Sequence, residues 1–303
     1  MNHRDIARVT VLTNPASGHG NASHAAERAI TRFQQRGIDV VGIVGTDAEH
    51  AHRLVVDALD RGTDALVVVG GDGVIRLALQ SLTHSGVPLG IIPAGTGNDH
   101  AREYGLPTGD PEAAADVIAD GHTETVDLGK ISGGGTESWF GTVVAAGFDS
   151  LVSDRANRMR WPHGRMRYNV AMVAEMSKLR LLPFRLSFDD GEEVKQQLTF
   201  VAIGNTRSYG GGMLICPGAD HSDGKLDVTM VASDSRTRLV RLFPTVFKGT
   251  HVNLDAVATA RVSRISIDSP GINAYADGDF ACPLPATIEA VPGALEILRR
   301  VAN

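Results

Sequence analysis

The sequence predicts an α/β plus β architecture: an N-terminal parallel α/β domain, a C-terminal antiparallel β-sandwich domain with helical inserts, and a cleft between the two. Three observations predict it. Up to residue 127, continuous apolar segments alternate with segments of helical spacing, the pattern of a parallel sheet covered on both faces. From residue 128 the rhythm gives way to short strands separated by glycine, aspartate and proline. Of the 303 residues, 43% are hydrophobic and 21% charged, which supplies two cores and excludes disorder. The expected domains are therefore 1–127 and 128–303.

The elements follow in order. Residues 8–13 form a short apolar strand. Residues 21–36 come next at helical spacing, with Ala22, Ala25, Ala26, Ala29, Ile30 and Phe33 on one side and Gly37 at the C-cap. Residues 38–44 are β-rich, and 47–61 are helical up to Gly62. Residues 65–69, Ala-Leu-Val-Val-Val, read as a strand buried on both faces, followed by a helix over 74–82 and a strand over 87–92. Asp110-Pro111 starts a helix with an N-cap and a proline at its first position, and Gly121 ends it. The second half offers strands at 139–145, 184–188, 197–203, 226–231, 264–268, 286–291 and 294–298, with helical inserts at about 151–181 and 236–248.

Composition narrows the function classes. The net charge of −6 speaks against a nucleic-acid partner, which calls for a basic domain. Cys216 and Cys282 cannot make a disulfide framework and lack the paired spacing of a zinc site. No apolar run reaches the ~18 residues of a membrane span. Residues 1–5 lead into a strand without the apolar stretch of a signal peptide. The expectation is a cytoplasmic protein that meets a membrane from its surface.

A parallel sheet binds its ligands outside the carboxyl ends of its strands. The loops falling there are Asn14-Pro15-Ala16-Ser17-Gly18-His19-Gly20, Gly45-Thr46-Asp47, Gly70-Gly71-Asp72-Gly73 and Pro93-Ala94-Gly95-Thr96-Gly97-Asn98-Asp99. Three of the four combine glycine with small polar residues, exposing backbone N–H groups to close approach by phosphate oxygens. The first domain is thus expected to bind phosphate or a nucleotide. The Gly-x-x-x-x-Gly-Lys-Ser/Thr loop is absent, and so is Gly-x-Gly-x-x-Gly after the first strand, which excludes the common NTPase and dinucleotide motifs.

As a set, Asn14-Pro15-x-Ser17-Gly18, Gly70-Gly71-Asp72-Gly73 and Pro93-x-Gly95-Thr96-Gly97-Asn98-Asp99 resemble the signature of the diacylglycerol kinase catalytic-domain family. That family includes soluble bacterial lipid kinases and sphingosine kinases. The second half continues the likeness through Asn205, Tyr209-Gly210-Gly211-Gly212-Met213, Pro217, Asp223-Gly224-x-Leu226-Asp227 and Asp277-Gly278. The resemblance implies an ATP- and magnesium-dependent kinase whose acceptor is a lipid hydroxyl. Diacylglycerol becoming phosphatidic acid is the main reading, with sphingosine or a monoacylglycerol as alternative acceptors. A non-catalytic nucleotide- or lipid-binding regulator is the reading from another class.

The site residues follow from that likeness. Gly70, Gly71 and Gly73 cradle phosphates through their N–H groups, and Asp72 holds magnesium or orients the attacking hydroxyl. Asn14, Ser17, Thr46, Gly95 and Thr96 contact the nucleotide. The proton acceptor is the acid of an Asp-Gly-Glu element, here Asp277-Gly278-Asp279, although Asp-Gly is also a strong hairpin-turn signal. A second magnesium site is implied at Asp223, with Asp220 and Lys225 contributing through carbonyl oxygens; the alternative is an acidic turn without an ion. Three positions depart from the family pattern: Val74 where threonine is common, Arg76-Leu77 where Asn-Glu is frequent, and Asp279 for glutamate. Arg155, Arg158, Arg160, Arg165 and Arg167 around Met159, Trp161 and Met166 suit docking on the inner face of an anionic membrane, or equally a solvated helix face. A homodimer is left open.

Overall fold

The computed structural model describes residues 2–13, 21–159, 161 and 165–301. Its first part alternates as expected: β1 (Asn2–His3), β2 (Arg8–Thr13), α1 (Asn21–Gln35), β3 (Asp39–Val44), α2 (Ala48–Asp60), β4 (Ala65–Gly70), α3 (Asp72–Leu82), β5 (Leu89–Pro93), α4 (Asp99–Glu103) and α5 (Pro111–Ala119). The apolar run of β4 is buried at all six positions, because it lies between β2 and β5 with helices on both faces. Asp110 accepts a hydrogen bond from Ala113 N, and Pro111 opens α5.

The second part contains β6 (His122–Gly133), β7 (Thr136–Phe140), β8 (Val143–Gly147), α6 (Phe148–Arg158), α7 (Arg165–Ser177), β9 (Leu182–Phe188), β10 (Val194–Leu198), β11 (Phe200–Gly204) and β12 (Leu226–Val231). After these come α8 (Arg236–Val246), a 3₁₀ turn (Thr250–Asn253), β13 (Val257–Val262), β14 (Arg264–Asp268), β15 (Asn273–Ala276), β16 (Asp279–Pro283) and β17 (Ala286–Leu298). Two sheets organise the chain. One has the order β10-β9-β14-β17-β5-β4-β2-β3, with β6 also on β17 and β7 on β6. The other is antiparallel in the order β13-β12-β11-β8-β15-β16. Facing side chains such as Phe184, Leu186, Ile265 and Ile288 of the first sheet and Val144, Val201, Val228 and Ala274 of the second fill the sandwich core.

The parallel and antiparallel halves share β17. Its early residues pair antiparallel with β14 and β6, and Ile297 then pairs parallel with Leu89 of β5. A register shift between Val291 and Leu295 lets one strand serve both.

The element pattern corrects several sequence expectations in detail. The strand expected over 139–145 is two, β7 and β8, because the N–H groups of Gly141 and Thr142 bond the Asp277 carboxylate. The strand expected over 197–203 is also two, interrupted at buried Thr199, whose hydroxyl bonds Ser233 O. The two strands at the end of the chain are the single, bulged β17.

Candidate active site

The sheet order brings the carboxyl ends of β2, β3 and β4 side by side, and a cavity of about 360 Å³ opens there. Thr13, Gly45, Asp47, Gly71 and Gly73 line it from the first lobe, and Asp279 lines it from the second. Val74 and Leu77 of α3 form apolar wall, so the departure at Val74 places a methyl surface where a hydroxyl is common.

Two glycine turns pack backbone on backbone beside the cavity. A Cβ on Gly95 would stand 2.4 Å from Gly71 Cα, and one on Gly71 would stand 3.1 Å from Gly95 Cα. Only glycine permits that approach. Gly71 is the N-cap of α3 and offers no side chain to the helix's first N–H groups, which leaves a helix N-terminus available to an anion. Gly70 ends β4, while Thr46 and Thr96 are exposed in their turns. The Thr46 hydroxyl lies 3.1 Å from Asp47 Oδ2 and 3.0 Å from His50 Nδ1. Asn14 and Ser17 fall outside the described residues.

Asp279 comes to this site on the turn between β15 and β16. Asp277 and Gly278 have φ of 50° and 86°, so the Asp-Gly hairpin signal and the functional element are one feature. Asp277 pins the turn: its Oδ2 accepts from Gly141 N at 2.9 Å, and its Oδ1 accepts from Thr142 N at 2.7 Å and Thr142 Oγ1 at 2.6 Å. A Cβ on Gly73 would stand 3.3 Å from Asp279 Oδ2, so the carboxylate of the second lobe overhangs the glycine turn of the first. Desolvation by the surrounding protein lifts the Asp279 pKa above the ordinary carboxylate range. Arg76 draws it back, and Asp277 raises it.

Asp72 is placed differently from Asp279. Its Oδ1 accepts from His100 N at 3.2 Å and lies 3.0 Å from His100 Nδ1, and its Oδ2 would stand 2.7 Å from a Cβ on Gly97. Burial opposes its charge, but the hydrogen bond and charge of His100 outweigh that and hold the pKa down at about 2. His100 is fully buried. Burial lowers its pKa, but Asp72, Asp277 and Asp99 together leave it raised. Asp72 therefore orders the wall behind the glycine turn.

Sequence reasoning passed over His100; its place directly after Gly-Thr-Gly-Asn-Asp is the signal that could have found it. It also left Asp99 without a role. Asp99 Oδ1 accepts from Gly212 N at 2.9 Å and its Oδ2 from Gly211 N at 2.8 Å, tying the second lobe's glycine turn to the first lobe. Arg76 also crosses the lobes, donating to Phe280 O and Ser138 Oγ.

At the expected second metal set, the side chains of Asp220, Asp223 and Lys225 are engaged with protein partners. Asp220 Oδ1 is taken by Ser222 N and Oγ, and Lys225 Nζ donates to Ser263 Oγ at 2.8 Å. Asp223 Oδ1 accepts from Lys225 N, and its Oδ2 pairs with the Arg261 guanidinium, whose Nε lies 3.7 Å from Asp227 Oδ2. Arg261 supplies the positive charge there. Among the described residues no group of three or more His, Cys, Asp or Glu is placed to hold a metal. Of the basic cluster around Trp161, Arg155 pairs with Glu175 and Met159 packs against the α6–α7 core. Trp161 and Met166 are exposed. Arg160 and the Arg165 side chain fall outside the described residues.

Glycine turns at a parallel sheet edge, capped by an acid from an antiparallel lobe, define a two-lobed phosphotransferase. Comparison with known proteins gives the same class. Residues 8–131 match the diacylglycerol kinase catalytic domain, and residues 142–299 match the YegS C-terminal NAD kinase beta sandwich-like domain. A diacylglycerol kinase of Mycobacterium tuberculosis is 64% identical over 300 residues, covering 99% of this chain and 97% of the relative. A diacylglycerol kinase of Bacillus subtilis is 24% identical over 284 residues, covering 92% of each. A crystal structure of a diacylglycerol kinase from Bacillus anthracis superposes with a TM-score of 0.72 at 20% identity, over 98% of each chain. Yeast NADH kinase complexed with NADH shares the fold at a TM-score of 0.55 and 13% identity, over 98% of this chain and 85% of that one. The chain belongs to the diacylglycerol kinase catalytic-domain family, and it is a kinase.

Proposed function

We propose that this kinase transfers the γ-phosphoryl group of ATP to the free hydroxyl of diacylglycerol, giving phosphatidic acid and ADP. The observation that carries the reading is the overhang of the Asp279 carboxylate above Gly73, at the mouth of the cavity that the glycine turns surround. The name of the relative at 64% identity supports diacylglycerol as acceptor.

In this reading the N–H groups at Gly71, Gly73 and the start of α3 take the triphosphate, with Gly95 and Thr96 beside them and Thr46 at the neighbouring turn. Asn14 and Ser17 complete the nucleotide contacts. ATP would be taken as its magnesium complex, in which the ion would supply neutralisation of phosphate charge. Asp279 accepts the proton of the acceptor hydroxyl as its oxygen bonds to the γ-phosphorus. The bond from that phosphorus to the β,γ-bridging oxygen breaks, and ADP leaves with the electron pair. Asp72 orders the turn through His100 without touching substrate. Residues 1–127 form the nucleotide lobe, joined by the end of β17, and the rest of 128–303 forms the lipid lobe. The acceptor resides in a bilayer, so the kinase works from the inner membrane surface; among the described residues no helix is long and apolar enough to cross a membrane.

The test is transfer of radiolabelled phosphate from ATP to diacylglycerol in mixed micelles, with sphingosine and monoacylglycerol as parallel acceptors. Transfer to diacylglycerol that exceeds an Asp279→Asn control supports the reading. Equal counts from the two proteins would end it, and a stronger signal on another acceptor would reassign the substrate.

A further inference from the structure

Helix α8 carries an apolar row that the described residues leave about half exposed. Leu239, Leu242 and Val246 are its buried side, seated on the sandwich lobe. Val240, Phe243 and Phe247 follow at i, i+3 and i+7 on another side and stand 59%, 46% and 46% exposed. The two phenylalanine rings meet edge to face at 5.5 Å, which makes one ridge of them. A solvated helix face has no use for such a row.

The charges around the ridge say what covers it. Arg236, Arg238, Arg241 and Lys248 are all exposed, and no Asp or Glu occurs between Asp234 and Asp255, in a chain whose net charge is −6. The Arg236 guanidinium bonds the carbonyl of Ser177, so α8 starts where α7 ends. Helix α7 in turn exposes Met166, Val170 and Val173 at i, i+4 and i+7. An apolar ridge edged by cations matches a bilayer in which acyl chains lie beneath anionic headgroups.

We propose that the Val240, Phe243 and Phe247 ridge of α8, with Arg238, Arg241 and Lys248 beside it, is the surface by which this protein docks on an anionic lipid bilayer. The proposal rests on the reading that the acceptor is a membrane lipid. It adds which face of the sandwich lobe approaches the membrane.

The experiment is co-sedimentation of the full chain with vesicles of equimolar phosphatidylglycerol and phosphatidylcholine, or of phosphatidylcholine alone. The variants are Phe243→Ser with Phe247→Ser, and Arg238→Glu with Arg241→Glu. The parent protein binds the anionic vesicles, more weakly at high salt. Each double variant loses about ten-fold or more in partitioning, while phosphorylation of a water-soluble short-chain diacylglycerol stays at the parent level and reports an intact fold. Unchanged partitioning of both variants overturns the proposal, as does a parent protein that binds neither vesicle. Sedimentation velocity supplies a third arm: a parent dimer that the phenylalanine variant splits, with vesicle binding unaffected, would make the ridge an interface between copies and overturn the proposal. Absence of phosphate transfer to the short-chain acceptor with vesicle binding intact counts against the diacylglycerol reading alone.

Discussion

The turn at the end of β4 and the turn between β15 and β16 face each other from different lobes, and each carries an aspartate. Asp72 on the first is enclosed, bonded to His100 and held down at about 2. Asp279 on the second is exposed to the cavity, and desolvation raises its pKa despite Arg76 nearby. A proton acceptor in phosphoryl transfer needs a carboxylate that reaches the substrate hydroxyl and has affinity for its proton. Asp72, its pKa held down by His100, has little such affinity. In the proposed reading the two aspartates therefore divide the work: one organises backbone, and the other faces the reactants.

The sharpest way to break this contrast is to remove each acid's function in turn. Asp279→Asn should lower kcat by about 10²–10⁴-fold, with little change in the KM for ATP and a folded circular-dichroism spectrum. A loss of only a few-fold would return Asp72 to candidacy. His100→Ala should cost about 1–3 kcal/mol in urea unfolding, because it leaves the half-buried Asp72 carboxylate with backbone N–H donors but no imidazole. Its signature is pH dependence. Asp72, lowered in the folded state, contributes stability that is full above the ordinary pKa of about 4 and lost as pH falls through about 2. His100, raised, contributes stability present below about 6.5 and lost as pH rises through its folded value. The parent should be most stabilised between those limits, and the variant should lack both slopes.

Gly95→Ala should cost about 1–3 kcal/mol through the clash with Gly71 Cα and weaken ATP binding, as read by calorimetry. The smallest effect belongs to Arg76→Ala. Without the guanidinium the Asp279 pKa rises further, so the acid limb of kcat/KM against pH should move upward. A limb that stays in place would separate Asp279 from the titration.

Much of this was legible in the residues because the first lobe is built from patterns of single strands and helices. The run at β4 and the Asp110-Pro111 start of α5 needed no partner to be recognised. The second lobe was harder. In β6, Asp127, Glu124 and Lys130 interrupt the apolar pattern, and its pairing with β17 supplies the order that the sequence alone does not display. The short β15 and β16 flank their Asp-Gly turn, so the sequence displays a motif there and no strand pattern. Within the site, the glycine turns and Asp279 stood out by residue type. The pairing of Asp72 with His100 did not, since it depends on α4 crossing behind the turn, 28 residues further along.

The shared strand β17 bears on how the chain folds. The parallel sheet cannot place a neighbour on β5 until residues near Ile297 arrive, some 200 positions after Leu89. Closing so long a loop is entropically expensive and slows the rate-limiting step. During synthesis the β5 edge therefore waits uncovered while the sandwich emerges, a template for wrong pairing. Joining the last strand should lock both lobes at once, so that unfolding is a single cooperative event.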